Sequence, residues 1–197
     1  VEETDVNLVK RARNGDRAAF HLLVERYQRK VYGVCYGMVR NRDDAMDLSQ
    51  ETFIKVYRNL DRFEGSSAFY TWVYRIACNV CIDWLRRAKR TRTVDYDDAI
   101  ARDEGGDEGM MPNRLGITPA KILARRELGD KIQDALQTLS PIHREVILLR
   151  EVQGLSYQEI ADTLDISIGT VMSRLHHARK NMQRALEQYL GGSLDAG

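Results

Sequence analysis

Cysteine and histidine are the first residues to weigh for chemistry, and this 197-residue chain has three and four of them. Cys78-Asn79-Val80-Cys81 is a C-x-x-C. On a helix, positions i and i+3 share a face, so zinc binding or thiol redox chemistry would fit the spacing. A zinc site needs two more ligands. Cys35 is one candidate, and His21 is the only nearby histidine in sequence. Small buried cysteines are the better reading. His143, His176 and His177 lie far along the chain, with no acid or serine at triad-like spacing. No phosphate loop, zinc-protease helix or nucleophile elbow is present. The expectation is no catalysis, no metal or other cofactor, and no small-molecule substrate.

A different chemistry is more visible. The stretch from Tyr70 to Arg90 mixes Tyr70, Trp72, Tyr74 and Trp84 with Arg75, Asn79, Arg86 and Arg87. Aromatic faces take up unstacked bases, and cations hold the phosphates of a freed strand. Trp72, Ile76 and Trp84 fall on one helical face, so part of each should be buried. Tyr70, Arg75 and Asn79 are better candidates for contact with DNA. Near the C terminus, Thr170, Ser173, Arg174, His177 and Lys180 form the outward face of a basic helix. Arg and Lys pair with guanine edges or phosphates, and Ser and Thr serve either.

Net charge does not oppose this reading. The total is only +1, but its distribution matters more than its sum. Arg86, Arg87, Lys89, Arg90 and Arg92 form a basic block. Asp95, Asp97, Asp98, Asp103, Glu104, Asp107 and Glu108 form an acidic stretch after it. Arg174, Arg179, Lys180 and Arg184 are basic again.

The elements that position these residues are helices. Leu22, Leu23, Tyr27, Val31, Val34, Cys35 and Met38 recur at helical spacing. Asn41-Arg42-Asp43 breaks the chain and can cap the next helix, about Asp43–Leu60, with Phe53, Val56, Tyr57 and Leu60 on its apolar stripe. Gly65-Ser66-Ser67 is a loop, and a further helix runs from about Ala68 to Lys89. Val94 to Gly116 holds few large apolar residues and reads as an acidic, flexible linker. Beyond it, Thr118-Pro119 and Ser140-Pro141 each start a helix. Leu128, Ile132, Ala135 and Leu139 give the first of these its buried face, and Gly154 ends the second.

Ser156 with Glu159 is a capping box for a helix at about Tyr157–Leu164. A turn at Asp165-Ile166-Ser167 leads to a last helix, about Ile168–Tyr189, closed by Gly191-Gly192. Ile160, Ala161, Leu164, Ile166, Val171 and Leu175 can core that pair, which has a helix-turn-helix layout. The expected fold is all-α. Two helical domains, 1–92 and 118–191, are joined by a linker over 93–117, and the second carries the helix-turn-helix.

The cysteine count is odd and sparse, no signal-peptide layout opens the chain, and no apolar run approaches the roughly 18 residues of a membrane span. A cytoplasmic setting is expected.

Three blocks carry a family resemblance. The stretch Asp43-Asp44-Ala45-Met46-Asp47-Leu48-Ser49-Gln50-Glu51-Thr52-Phe53-Ile54-Lys55-Val56-Tyr57 resembles the polymerase-binding signature of bacterial sigma factors. The segment from Phe63 through Phe69, Tyr70, Trp72 and Arg75 to Asn79 resembles the promoter-opening segment of the extracytoplasmic-function group, near the envelope-stress type. Leu155 to Ala161 and Gly169 to Arg174 resemble that group's upstream-element reader. The resemblance covers nearly the whole chain except the linker, with the blocks in the right order.

The resemblance implies a promoter-recognition subunit. Asp47, Leu48, Gln50, Glu51 and Phe53 would bind core RNA polymerase. Phe63, Ser67, Phe69, Tyr70, Trp72, Tyr74, Arg75, Asn79, Arg86 and Arg87 would read and open minus-ten promoter DNA, with the Phe63–Phe69 loop holding a flipped base. Ser156, Tyr157, Thr170, Met172, Ser173, Arg174, His176, His177 and Lys180 would read minus-thirty-five DNA. An anti-sigma factor, possibly membrane-anchored, is a further implied partner. The linker would thread toward the transcript path or serve as a solubilising spacer, and both readings stand open. One departure is plain. Met172, His176 and His177 stand where the envelope-stress pattern has further arginine and an aromatic, so its minus-thirty-five sequence does not transfer. The rivals are a polymerase-independent helix-turn-helix regulator and a redox or zinc enzyme built on the C-x-x-C.

Overall fold

The computed structural model describes residues 3–94 and 119–191, with side chains over 3–90 and 123–187. The acidic linker, Arg92, Thr118 and Gly192 lie outside the described residues. Eight α-helices are described: α1 Asp5–Arg13, α2 Arg17–Val39, α3 Arg42–Arg58, α4 Phe69–Val94, α5 Pro119–Gln137, α6 Pro141–Ile147, α7 Tyr157–Leu164 and α8 Ile168–Gly191. No strand occurs among the described residues, and the fold is all-α.

Local chemistry sets the helix starts. Thr4, Asp16 and Asn41 each accept a backbone N–H of the turn they cap, at 3.4, 3.1 and 3.0 Å. These are ordinary N-caps, each worth about 1 kcal/mol against alanine. Ser156 and Glu159 complete the capping box of α7, at 3.2 and 2.7 Å. Ser140 precedes Pro141 as expected, but its hydroxyl pairs with His143 Nδ1 at 2.9 Å instead of capping α6. Helix α6 then loosens into a π-helical turn, Leu148–Val152, and the chain reverses at Gly154 with φ +73°. A left-handed φ suits glycine, which has no Cβ to clash.

The first lobe packs α1–α4 around Leu23, Val31, Val34, Met38, Leu48, Val56, Val73 and Val80. The second packs α5–α8 around Leu136, Val146, Leu149, Ile160, Val171 and Leu175. Three expected stripes differ from the observed ones. Helix α3 buries Ala45, Leu48, Ser49, Thr52 and Val56, whereas Tyr57 is half exposed and Phe53 only partly covered. Leu22 is exposed beside buried Leu23. Helix α5 buries Ala135 and Leu136, with Leu139 just past its end, but exposes Leu128 and Ile132.

The lobes pack against each other, and the seam takes up the candidate site residues Tyr70, Tyr74 and Arg75. Helix α2 meets α5 and α6, and α4 meets α7 and α6. Gly37 makes the closest approach possible. A Cβ there would lie 2.5 Å from a methyl of the fully buried Leu148. Arg144 is buried and spans both lobes. It donates to the carbonyls of Leu136, Gln137 and Leu139 at 2.9, 3.1 and 3.0 Å, and to that of Met38 in α2. One guanidinium thus satisfies α5's last carbonyls and one near the end of α2, where a cation suits the helix dipole. Arg40 pairs with Asp134 across the same seam.

Candidate nucleic-acid interface

The first face lies on α3. Asp47 and Gln50 are exposed, and Glu51 is partly exposed with Lys55 Nζ at 2.8 Å. Leu48 belongs to the lobe's hydrophobic core and offers no surface. Phe53 lines a shallow groove with Phe20, Ile54, Tyr57 and Arg58 beside the acids. An acidic and an apolar surface therefore adjoin on one helix.

The second face lies on α4 and the loop before it. Phe63 and Phe69 are buried beside the partly buried Trp72, their ring centroids 5.2–5.9 Å apart. The Phe63 and Phe69 rings do not present themselves to a ligand. They anchor the two ends of the loop, whose Glu64, Gly65 and Ser66 are exposed and whose Ser67 is partly covered. Arg13 pins the loop's start through the carbonyls of Leu60, Asp61 and Phe63. Trp84 and Ile76 are partly buried against the hydrophobic core, as their spacing requires. Asn79 and Arg86 are exposed, and Arg87 donates to the Asp83 carbonyl at 3.4 Å.

Tyr74 corrects the sequence expectation. It is only 2% exposed, and its hydroxyl donates to Gln153 Oε1 at 2.8 Å. Tyr70 and Arg75 also face the second lobe. The Tyr70 hydroxyl donates to Glu159, and Arg75 donates to the Thr163 carbonyl at 3.1 Å and to that of Asp162. The Tyr70 and Ser156 hydrogen bonds hold the Glu159 carboxyl below the usual range.

The third face lies on α7 and α8. Ile160, Ala161, Val171 and Leu175 are buried, with Leu164 and Ile166 partly so, giving the expected small core. Met172, Ser173, His176, His177 and Lys180 are exposed, Thr170 is partly covered and Ser156 is exposed. Tyr157 lies 5.2 Å from the Arg150 guanidinium in a cation–π contact. Arg174 departs from the outward face assigned to it. Its guanidinium turns inward and donates to Glu145 at 3.2 Å.

Two family models match the chain, Sigma-70 region 2 over residues 23–91 and Sigma-70, region 4 over residues 129–182. The RNA polymerase sigma-H factor of Pseudomonas aeruginosa is 39% identical over 96% of this chain and 97% of its own. The ECF RNA polymerase sigma-E factor of Haemophilus influenzae is 40% identical over 93% of this chain and 96% of its own. This chain belongs to the sigma-70 family, in its extracytoplasmic-function group.

The sigma factor also resembles solved structures. CnrH in complex with the cytosolic domain of CnrY superposes with a TM-score of 0.66 at 26% identity, over 94% of this chain and 99% of that one. Bartonella quintana RpoE, solved with the anti-sigma factor NepR, matches in fold at a TM-score of 0.64 and 24% identity, over 85% of this chain and 96% of its own. As a sigma factor, the protein directs promoter-specific initiation by RNA polymerase.

The C-x-x-C gains no ligand set from the fold. Cys35, Cys78 and Cys81 are buried and free of disulfides. Burial pushes the Cys78 thiol up, and a hydrogen bond to Cys35 together with burial raises Cys81. A raised thiol is a poor nucleophile and a poor metal ligand. Among the described residues, no group of three or more His, Cys, Asp or Glu could hold a metal, and no helix is long and apolar enough to cross a membrane.

Glu145 is a buried carboxyl with no local sequence signal. It sits under α8 and α4, near Arg174, Arg86 and Cys78. Burial pushes its carboxyl up to about 7, against the opposing influence of Arg174 and Arg86. A raised carboxyl pKa means that the folded chain holds this proton more tightly than the unfolded one. Its contribution to stability is complete below the ordinary value of 4.5 and is lost as pH rises through about 7. We predict a urea midpoint that falls between about pH 5 and about pH 8, with a flatter profile in Glu145→Gln. An unaltered slope in that variant would assign the dependence to other groups.

Proposed function

We propose a division of labour among the three faces of this sigma factor. The α3 face of Asp47, Gln50, Glu51 and partly covered Phe53 docks on core RNA polymerase. The loop from Phe63 to Phe69, with Tyr70, Trp72, Arg75, Asn79, Arg86 and Arg87 on α4, reads and opens the minus-ten element. Helix α8, through Thr170, Met172, Ser173, His176, His177 and Lys180, reads minus-thirty-five DNA, with Ser156 and Tyr157 on α7 beside it, and Arg174 joins them only on leaving Glu145. Leu48 and Tyr74 support these faces from within. The observation that carries the reading is the exposure of acidic side chains on α3, an amide on α4 and polar side chains on α8, separate elements of one chain.

The protein acts in the cytoplasm and is not itself an enzyme. An anti-sigma factor regulates it. CnrH, which resembles this chain, is held by the cytosolic domain of another protein, CnrY, and a membrane-anchored partner would fit such a pattern.

Run-off transcription with purified core RNA polymerase tests the reading. The template is a library with randomised minus-thirty-five and minus-ten elements. Enrichment of a defined pair of elements is expected, and no transcript above core polymerase alone would refute it. Within that assay, Asn79→Ala should lower permanganate reactivity of promoter thymines about tenfold, as loss of roughly one good base contact would. Capture by core polymerase should be unchanged, since Asn79 is exposed on α4 rather than on α3. Equal reactivity in variant and parent removes Asn79 from the DNA face.

A further inference from the structure

We propose that the minus-thirty-five interface extends from α8 onto α6, where His143 and His177 together seat one phosphodiester of the duplex backbone. This seat presupposes the reading of α8 as the recognition helix and adds to it a residue outside that helix. Three of the chain's four histidines meet here. The ring centroids of His143 and His177 are 6.2 Å apart, and those of His176 and His177 are 5.5 Å apart. His176 and His177 are exposed, and His143 is partly so.

The cluster has donors to offer and no anion to take them. His143 Nδ1 is hydrogen-bonded to the Ser140 hydroxyl at 2.9 Å, which fixes the ring. Among the described residues, its Nε2 has no partner and neither His143 nor His177 is paired with a carboxylate. The charged groups that act on His143 come from α8, His177 and Arg174, and together with burial they lower its pKa. Glu145, the acid beside Arg174, is buried and accepts that guanidinium at 3.2 Å, while Arg86 of α4 acts on it from the other side. An anion that reaches both imidazoles relieves their mutual repulsion and accepts a charge-assisted hydrogen bond from each.

Position along α8 identifies the anion. From Ile168, where α8 starts, to His177 the helix rises about 13 Å. The major groove of B-DNA is about 12 Å wide. The first turns therefore carry Thr170, Met172 and Ser173 to base edges, and His177 comes to the rim of the groove, where the phosphates run. His143 stands beside it on α6, so a phosphate at that rim is met from two helices. A phosphate raises the pKa of His143 above its free value. The contact is then complete below the free value and is lost as pH rises through the bound one.

The test uses holoenzyme reconstituted from the full chain and core RNA polymerase, with a duplex promoter fragment carrying the enriched pair of elements. Neutral methylphosphonates replace the minus-thirty-five phosphates one at a time, and affinity is read by anisotropy at about pH 6 and about pH 8, either side of the imidazole range. In the parent, one position should cost about tenfold at the lower pH, the effect of one charge-assisted contact, and less at the higher. His143→Gln and His177→Gln should each abolish that penalty and lower the salt slope by about one. His143→Arg, a cation throughout this range, should keep the penalty at both pH values. Glu145 titrates in the same range, so the difference between parent and variant is the quantity read.

A circular dichroism melt checks each variant. Should His143→Gln unfold the second lobe, His177→Gln, at an exposed position, carries the same comparison. Penalties that persist unchanged in the folded variants overturn the seat, as does a parent with no sensitive phosphate. A scrambled upstream element separates the two failures. If the enriched element is still preferred over it, the α8 reading stands and only the seat is wrong. If both bind equally, the α8 reading itself has failed.

Discussion

Reversing Asp47 and Glu51 to lysine is expected to abolish capture of the sigma factor by core RNA polymerase while leaving its fold intact. Both residues project from α3 away from the buried row of Ala45, Leu48, Ser49, Thr52 and Val56. Their replacement therefore removes no packing. The local cost is small. Glu51 loses its pair with Lys55 at 2.8 Å and sets a like charge four residues away, worth roughly 0.2–0.5 kcal/mol in each sense. Docking on a basic partner is another matter. Each reversal turns an attraction into a like-charge contact, and such juxtapositions cost several kcal/mol across an interface. Two together should lower affinity by about a hundredfold or more. A pull-down with core polymerase gives the result, and far-UV circular dichroism melts check the fold. Unchanged capture would move the docking surface off α3. Capture lost together with a large fall in melting temperature would instead mean that α3 had unfolded.

The largest effect on stability is expected from Arg144→Met. The guanidinium is buried and donates to four carbonyls, two at the end of α5, one just past it at Leu139 and one near the end of α2. Burial lowers its pKa to about 10, still leaving it charged at neutral pH. Methionine fills most of the volume but donates nothing. Each buried carbonyl left unpaired costs about 1–3 kcal/mol. Some of the four will find water or shift, so a net loss of roughly 3–5 kcal/mol is expected, the range for removing one partner of a buried charged contact. For a chain of this size, that corresponds to a fall of about 10 °C in melting temperature. Arg144→Lys should recover only part of it, because an ammonium cannot reproduce the planar fork. Urea unfolding measures the difference. A loss under about 1 kcal/mol would show that the helix ends are satisfied without this side chain.

The sequence by itself determined much about this protein. Asn41, Ser156 and Glu159 are capping residues whose chemistry acts within one turn, so they could be read from local spacing and occur as hydrogen bonds in the structure. The all-helical fold follows from periodicity, which needs no knowledge of partners. The order of the three blocks led to the family that the comparisons show. Tertiary structure decided which of the candidate side chains are free. Phe63, Phe69 and Tyr74 have the aromatic rings that base recognition needs, but rings are also what a hydrophobic core accepts, and residue type cannot distinguish the two. The α3 stripe was misread for a related reason. Helical periodicity fixes which residues share a face, whereas the packing of α2 and α4 fixes which face is covered. The contacts of Tyr70 with Glu159, Arg75 with α7 and Arg144 with Met38 join residues 87–106 positions apart. No local pattern encodes such pairings. They exist because two lobes with complementary surfaces are tethered on one chain, and the small side of Gly37 lets them close.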